Sequence, residues 1–220
     1  IAVEPDDRLP RALDETGIDA VVAAFRDAAV RALEAGFRLV EIHSAHGYLL
    51  HEFLSPLANR RTDAYGGTLE NRARLLLRVV DAVREALPEE LPLWVRISAT
   101  DWAEGGWDVD GSVELARLLG PRGVDLVDVS SGGLVRHQQV AAGPGYQVPF
   151  AERIRREAGI ATGAVGLVTE PQQADEIVAT GKADVVLLAR ELLRDPYFPR
   201  RAAKALGAEL PVPIQYGRAW

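Results

Sequence analysis

Three of the chain's four histidines, His43, His46 and His51, fall within nine residues, and Tyr48 stands among them. A His-x-x-His pair can ligate zinc, although such sites ordinarily add a carboxylate or cysteine at fixed spacing, and Glu52 is the one close candidate. Histidines hydrogen-bonded inside a core would need no chemistry at all. A third reading is a pair of imidazole donors polarising a substrate carbonyl while the neighbouring phenol delivers a proton. Further polar or phosphate-suited groups recur down the chain: Arg96 with Ser98, Ser130 with Ser131, Gly166, and Arg190.

Each of these groups sits at or just past the end of a short apolar run. Runs over 39–42, 93–97, 126–129, 161–165 and 185–188 read as buried strands, apolar on both faces. Helix-period segments separate them, the pattern of repeated βα units. Ile18, Val21, Val22, Phe25, Ala29 and Leu33 predict one helix that packs an apolar stripe on the sheet, opened by Thr16 and Asp19 as a capping box. Leu75, Leu76, Val79, Val80 and Val83 predict a second, and Thr169 with Gln172 suggests a start for the helix after the fourth strand. Gly36 and Gly181 stand where helices should end. The alternation fits an open doubly wound sheet or a piece of an eight-stranded barrel, and periodicity alone does not choose. Convergence of several strand ends on one set of polar residues favours the barrel.

Composition narrows the function. The 220 residues are 48% apolar and 26% charged, with no linker or composition break, so one domain over residues 1–220 is expected. With no cysteine there can be no disulfide, thiolate zinc site, cysteine-ligated iron–sulfur cluster or cysteine nucleophile, and a reducing cytoplasm fits. A net charge of -7 argues against a nucleic-acid partner, and the basic stretches at 153–156 and 200–201 read as solvated helix faces. No apolar run approaches the roughly 20 residues of a membrane span. The opening, Ile1 followed by Glu4-Pro5-Asp6-Asp7, shows neither an initiating methionine nor a secretion signal, and reads as a cut.

The stretch Val40-Glu41-Ile42-His43-Ser44-Ala45-His46-Gly47-Tyr48-Leu49-Leu50-His51-Glu52-Phe53-Leu54-Ser55-Pro56, continued by Asn59-Arg60-Arg61-Thr62-Asp63-Ala64-Tyr65-Gly66-Gly67-Thr68 and Glu70-Asn71-Arg72, resembles the signature of old yellow enzyme ene-reductases. The likeness runs on through Val95-Arg96-Ile97-Ser98, Thr162-Gly163-Ala164-Val165-Gly166 and Leu188-Ala189-Arg190-Glu191 to Gln215-Tyr216-Gly217-Arg218-Ala219-Trp220. It implies a (β/α)8 TIM barrel, here a partial barrel holding strands 4–8 and lacking the first three βα units. An exposed edge beside the first strand is then expected unless another chain or the missing units cover it.

The resemblance also implies roles. His43 and His46 match the pair that binds the substrate's activating oxygen, and Tyr48 matches the proton donor. The cofactor would be FMN, reduced by NADPH or NADH. Arg96 matches the arginine beside the flavin's N1 and C2 oxygen; a buried ion pair is its plain alternative. Gly166 and Leu167, with Ala189 and Arg190, match the loops that hold the FMN phosphate, Ala189 standing where relatives often have glycine. Residues 59–72 are expected to form a structural turn with internal ion pairs, and Trp102 and Trp107 to be loop packing. In the thermophilic-like class, a C-terminal segment like Tyr216, Arg218 and Trp220 reaches a neighbouring subunit's active site, which implies a homo-oligomer binding an enone or nitro substrate. Two alternatives remain at this point: a flavin-free phosphate-binding barrel lyase or isomerase, and a non-catalytic partial barrel.

Overall fold

In the computed structural model, which describes residues 10–219, five strands form a single sheet: β1 Val40–Ser44, β2 Leu93–Ser98, β3 Leu126–Ser130, β4 Ala161–Ala164 and β5 Val185–Val186. They lie in sequence order and every neighbouring pair is parallel. Helices fill the crossovers: α1 Glu15–Glu34 precedes β1, α2 Leu49–Leu54 and α3 Leu69–Ala86 follow it, and α4 Val109–Leu119, α5 Val148–Ala158 and α6 Pro171–Ala179 follow β2, β3 and β4. After β5 come α7 Arg190–Arg194 and α8 Phe198–Leu206. This sequential parallel order is that of a partial TIM barrel, as the motifs implied.

The two faces of the sheet differ. Ile42, Val95, Ile97, Val127 and Val129 belong to one core with Leu75, Leu76, Val79, Val80 and Val83 of α3 and Leu115 and Leu119 of α4. On alternate positions, Glu41, His43, Trp94 and Arg96 are only half-buried. β1 pairs with β2 alone, so its other edge is open among the described residues.

The α1 stripe holds: Ile18 and Ala29 are buried, and Val21, Val22, Phe25 and Leu33 pack on the core, the helix lying along α3. Its start does not. Asp14, not Thr16, is the cap, its carboxylate accepting the Gly17 N–H at 2.8 Å, so Thr16 falls within the first turn. Similarly, α6 opens on Pro171 after Glu170, without a side-chain cap; proline's preset φ replaces the expected Thr169 signal. The first strand is shifted to Val40–Ser44, which puts His43 within it rather than after it, and the last shortens to two residues. Gly36 and Gly181 do lie just past helix ends, with φ of 91° and 72°.

Residues 59–72 form the expected scaffold. Arg61 pairs with Asp63 at 2.5 Å, and buried Asn59 donates to the carbonyls of Phe53 and Tyr65. Arg72 does not join an ion pair there: it donates to the carbonyls of Leu54 and Gly67. The basic stretch in α5 lies on the surface, with Arg153 paired to Asp110 and Glu157. Trp107 is buried with its Nε1–H on Ser112 Oγ at 2.7 Å. Trp102 lies tilted beside Tyr146 and edge-on to Phe150.

Candidate active site

Strand register assembles the first part of the site. His43 stands opposite Arg96, and Arg96 opposite Asp128, so the three share one row across β1, β2 and β3. Side chains in one row of a parallel ladder leave on the same face, here the half-open one. Ser98 and Ser130 form the next row toward the strand ends.

Past β1 the chain turns sharply to reach α2. His46 and Gly47 both take left-handed backbone, φ 57° and 78°. A Cβ on Gly47 would lie 2.4 Å from the Gly133 carbonyl oxygen, so only glycine lets the loops after β1 and β3 meet this closely. The His46 N–H donates to Ser98 Oγ at 2.9 Å, and Ser98 Oγ–H in turn donates to the Gly132 carbonyl. The turn leaves the His43 and His46 rings 5.2 Å apart and the His43 and Tyr48 rings 5.4 Å apart. Tyr48 is 65% exposed, its ring at the open mouth of the cluster.

The two imidazoles are held neutral. Burial lowers the pKa of His46 to about 4, helped by the charge of Arg96. His43 is lowered by burial first and by Arg96 second. His46 Nε2 lies 2.6 Å from Ser130 Oγ, whereas buried His43 Nε2 has no hydrogen-bond partner among the described residues. A neutral imidazole can present one N–H to an oxygen that gains negative charge.

Arg96 is both an ion-pair member and a site residue. Its Nε lies 3.2 Å from Asp128 Oδ2, a charge contact without hydrogen-bond alignment. Burial pushes Asp128 up to about 7, against the attraction of Arg96 and with the repulsion of Glu41.

A cavity of about 260 Å3 brings together His46, Arg96, Gly166, Leu167, Ala189 and Arg190. Buried Gly166 has φ 130° and Leu167 follows at 52°, a backbone that turns sharply at the strand end. Behind it, Gln147 donates to the Val165 carbonyl at 2.9 Å and accepts from Ser131 Oγ at 2.5 Å. Arg190 begins α7, and Arg194 joins it in the lining. His43 and Tyr48 adjoin this cavity through His46 rather than lining it. Arg218 lies outside it, in an exposed C-terminal segment beyond a 3-10 turn at Ile214–Tyr216; Trp220 is outside the described residues.

His51 does not join the other two histidines. It is fully buried on α2 and faces Asp101, so no metal-like cluster of three His, Cys, Asp or Glu forms among the described residues. Asp101, Asp128, Tyr146 and Gln147 are site or supporting residues that motif reading passed over. Asp128 had a signal, a lone charge inside the apolar run Leu126-Val127-Asp128-Val129. The others lie in loops, where spacing carries no face information.

A partial βα barrel with imidazoles and a guanidinium at its strand ends, facing a glycine-turn cavity, is a phosphate-cofactor type of site. The chain belongs to the NADH:flavin oxidoreductase / NADH oxidase family, whose model matches residues 2–209. It is 49% identical over 220 residues to an NADPH dehydrogenase of Bacillus subtilis (strain 168), covering all of this chain and 64% of the relative. An NADPH dehydrogenase of Geobacillus thermodenitrificans (strain NG80-2) is 54% identical over 211 residues, 96% of this chain and 61% of the relative. The chain thus spans less than two thirds of these relatives' length. Among solved structures, morphinone reductase superposes with a TM-score of 0.75 at 33% identity, covering 94% of this chain and 54% of that one. A 2-naphthoyl-CoA reductase complex gives 0.82 at 28% identity, covering 90% and 30%.

The family's cofactor is FMN, and the residues present fit it. Gly166 leaves room at a turn where a Cβ would come within 3.0 Å of Tyr146 and Gln147. Arg190 brings positive charge to the same cavity, while Arg194 there is paired with Glu191 at 2.7 Å. His43 Nε2 and Arg96 Nε are buried polar atoms without a hydrogen-bond partner among the described residues.

Proposed function

We propose that this chain carries the substrate clamp and phosphate cradle of an ene-reductase, which reduces the activated C=C bond of α,β-unsaturated carbonyl or nitro compounds at the expense of NADPH or NADH. The observation that carries the reading is the juxtaposition of the His43, His46 and Tyr48 cluster with the cavity of Arg96, Gly166, Leu167, Ala189 and Arg190. Bound FMN would supply the redox chemistry, carrying reducing equivalents from the nicotinamide to the substrate's C=C bond. His43 and His46 donate N–H groups to the activating oxygen, whose negative charge grows as the β-carbon is reduced. Their depressed pKa values keep both rings neutral donors near pH 7. Tyr48 gives its hydroxyl proton to the α-carbon, which its exposed position at the mouth permits. Arg96 would offer positive charge to the bound flavin, and Arg190 with the backbone of Gly166, Leu167 and Ala189 would hold its phosphate. The same proposal puts the protein in the cytoplasm, as a homo-oligomer whose exposed segment with Tyr216 and Arg218 reaches a neighbouring subunit; Trp220, assigned the same role, lies outside the described residues.

Stopped-flow separation of the two half-reactions in the full-length enzyme tests the proton donor. Tyr48→Phe should leave flavin reduction by NADPH nearly intact and slow alkene reduction by about 10²-fold or more. Equal loss in both halves would overturn the assignment.

A further inference from the structure

His51 contributes nothing to the clamp directly, yet it is the most completely enclosed titratable ring in the region. Both its side chain and that of Asp101 have no exposed surface. His51 Nε2 lies 2.9 Å from Asp101 Oδ1, off hydrogen-bond alignment, and neither atom has another partner among the described residues. Each can be satisfied only by the other. The second oxygen, Asp101 Oδ2, is already committed to Ser55 Oγ–H at 2.5 Å and to the Trp107 N–H at 2.7 Å. On the far side of the ring, His51 Nδ1 accepts the Gly47 N–H at 2.9 Å.

These contacts fix the position of one proton. An Nδ1 that accepts cannot carry hydrogen, so a neutral ring has its proton on Nε2, the nitrogen that lies beside the carboxylate. The acceptor matters because of where Gly47 stands. It lies between His46 and Tyr48, in a turn with two successive left-handed residues, and its N–H has no other acceptor among the described residues. The helix that follows, Leu49–Leu54, is only six residues long and cannot orient the turn by its own cohesion.

We propose that His51 is a positioning residue: Asp101 holds it as the Nε2–H tautomer, and its bare Nδ1 fixes the Gly47 N–H and with it the turn that aims His46 and Tyr48. The proposal rests on the clamp reading for what the turn does, whereas its test reads the ring and the amide without flavin or substrate. Its failure would therefore leave the clamp reading standing.

The test is nitrogen-15 NMR of the chain at neutral pH. In the wild-type protein the two ring nitrogens of His51 should show the neutral Nε2–H pattern, and the Gly47 amide should exchange slowly. Asp101→Asn keeps an oxygen for Ser55 and Trp107 but turns an NH2 toward Nε2. The ring must then move its proton to Nδ1, against the Gly47 N–H, or rotate away. Exchange at Gly47 should rise about tenfold while the fold persists. Ser55→Ala, which removes a donor from the same carboxylate, should leave the Nε2–H pattern in place. A wild-type His51 that is protonated or carries its proton on Nδ1 would overturn the proposal, whether or not Asp101→Asn folds. So would an unchanged Gly47 amide in a folded Asp101→Asn protein.

Discussion

The row of His43, Arg96 and Asp128 makes the acid–base character of the site a matter of which charges share one buried strip. His46 falls from an ordinary 6.5 to about 4. Between those values the unfolded chain takes up a proton that the folded chain refuses, so this ring makes stability fall as pH drops through the window. Asp128 acts in the opposite sense. Raised from 3.8 to about 7, it keeps a proton that the unfolded chain releases, so its contribution falls as pH rises through that range. Asp128→Asn removes the second effect together with the charge contact to Arg96. In urea unfolding the variant should gain about 1 kcal/mol over wild type near pH 8 and less near pH 5. An equal change at both pH values would contradict the burial of a costly carboxylate. Arg96, His43 and His46 could be picked out in advance by their motifs, because strand ends and residue types carry the signal. Asp128 could not be given a role, since its significance comes from a neighbour on another strand.

At the level of elements, the site depends on how β1 hands over to α2. Gly47 is the narrowest point of that connection, and a methyl group there meets both a left-handed φ of 78° and the Gly133 carbonyl at 2.4 Å. Gly47→Ala should cost about 2 kcal/mol or more in thermal or urea unfolding, because neither the backbone nor the facing loop has slack. Unchanged stability would show that the loops after β1 and β3 do not pack as described. The strands and the apolar stripes of α1 and α3 were readable from periodicity, which reports burial directly. Helix starts were less so: Asp14 and Pro171 outcompeted Thr16 and Thr169, and competition among nearby capping residues is settled by local backbone geometry. The left-handed turn at His46 and the Asp101 partnership of His51 depend on contacts between segments far apart in the chain, which local spacing does not encode.

At the scale of the whole fold, the five parallel strands leave β1 with an open edge among the described residues and the inner face half-exposed at Glu41, His43, Trp94 and Arg96. The motifs anticipated this edge, since they matched only the later units of a barrel. The C-terminal segment is equally open, with Ile214 95% and Tyr216 63% exposed. If that segment serves a neighbouring subunit, Arg218→Ala should raise KM for the alkene about tenfold in the oligomer with little change in flavin reduction. Unchanged kinetics would remove the role. The central claim, that a histidine clamp stands over a flavin seated on the Arg190 cavity, is tested most directly by titrating the FMN-loaded protein with a phenol and following the visible spectrum. A new long-wavelength band in the wild-type protein, absent from His43→Ala/His46→Ala, is the predicted result. A chain that retains no FMN, or a flavin spectrum that phenol leaves unaltered, would contradict it.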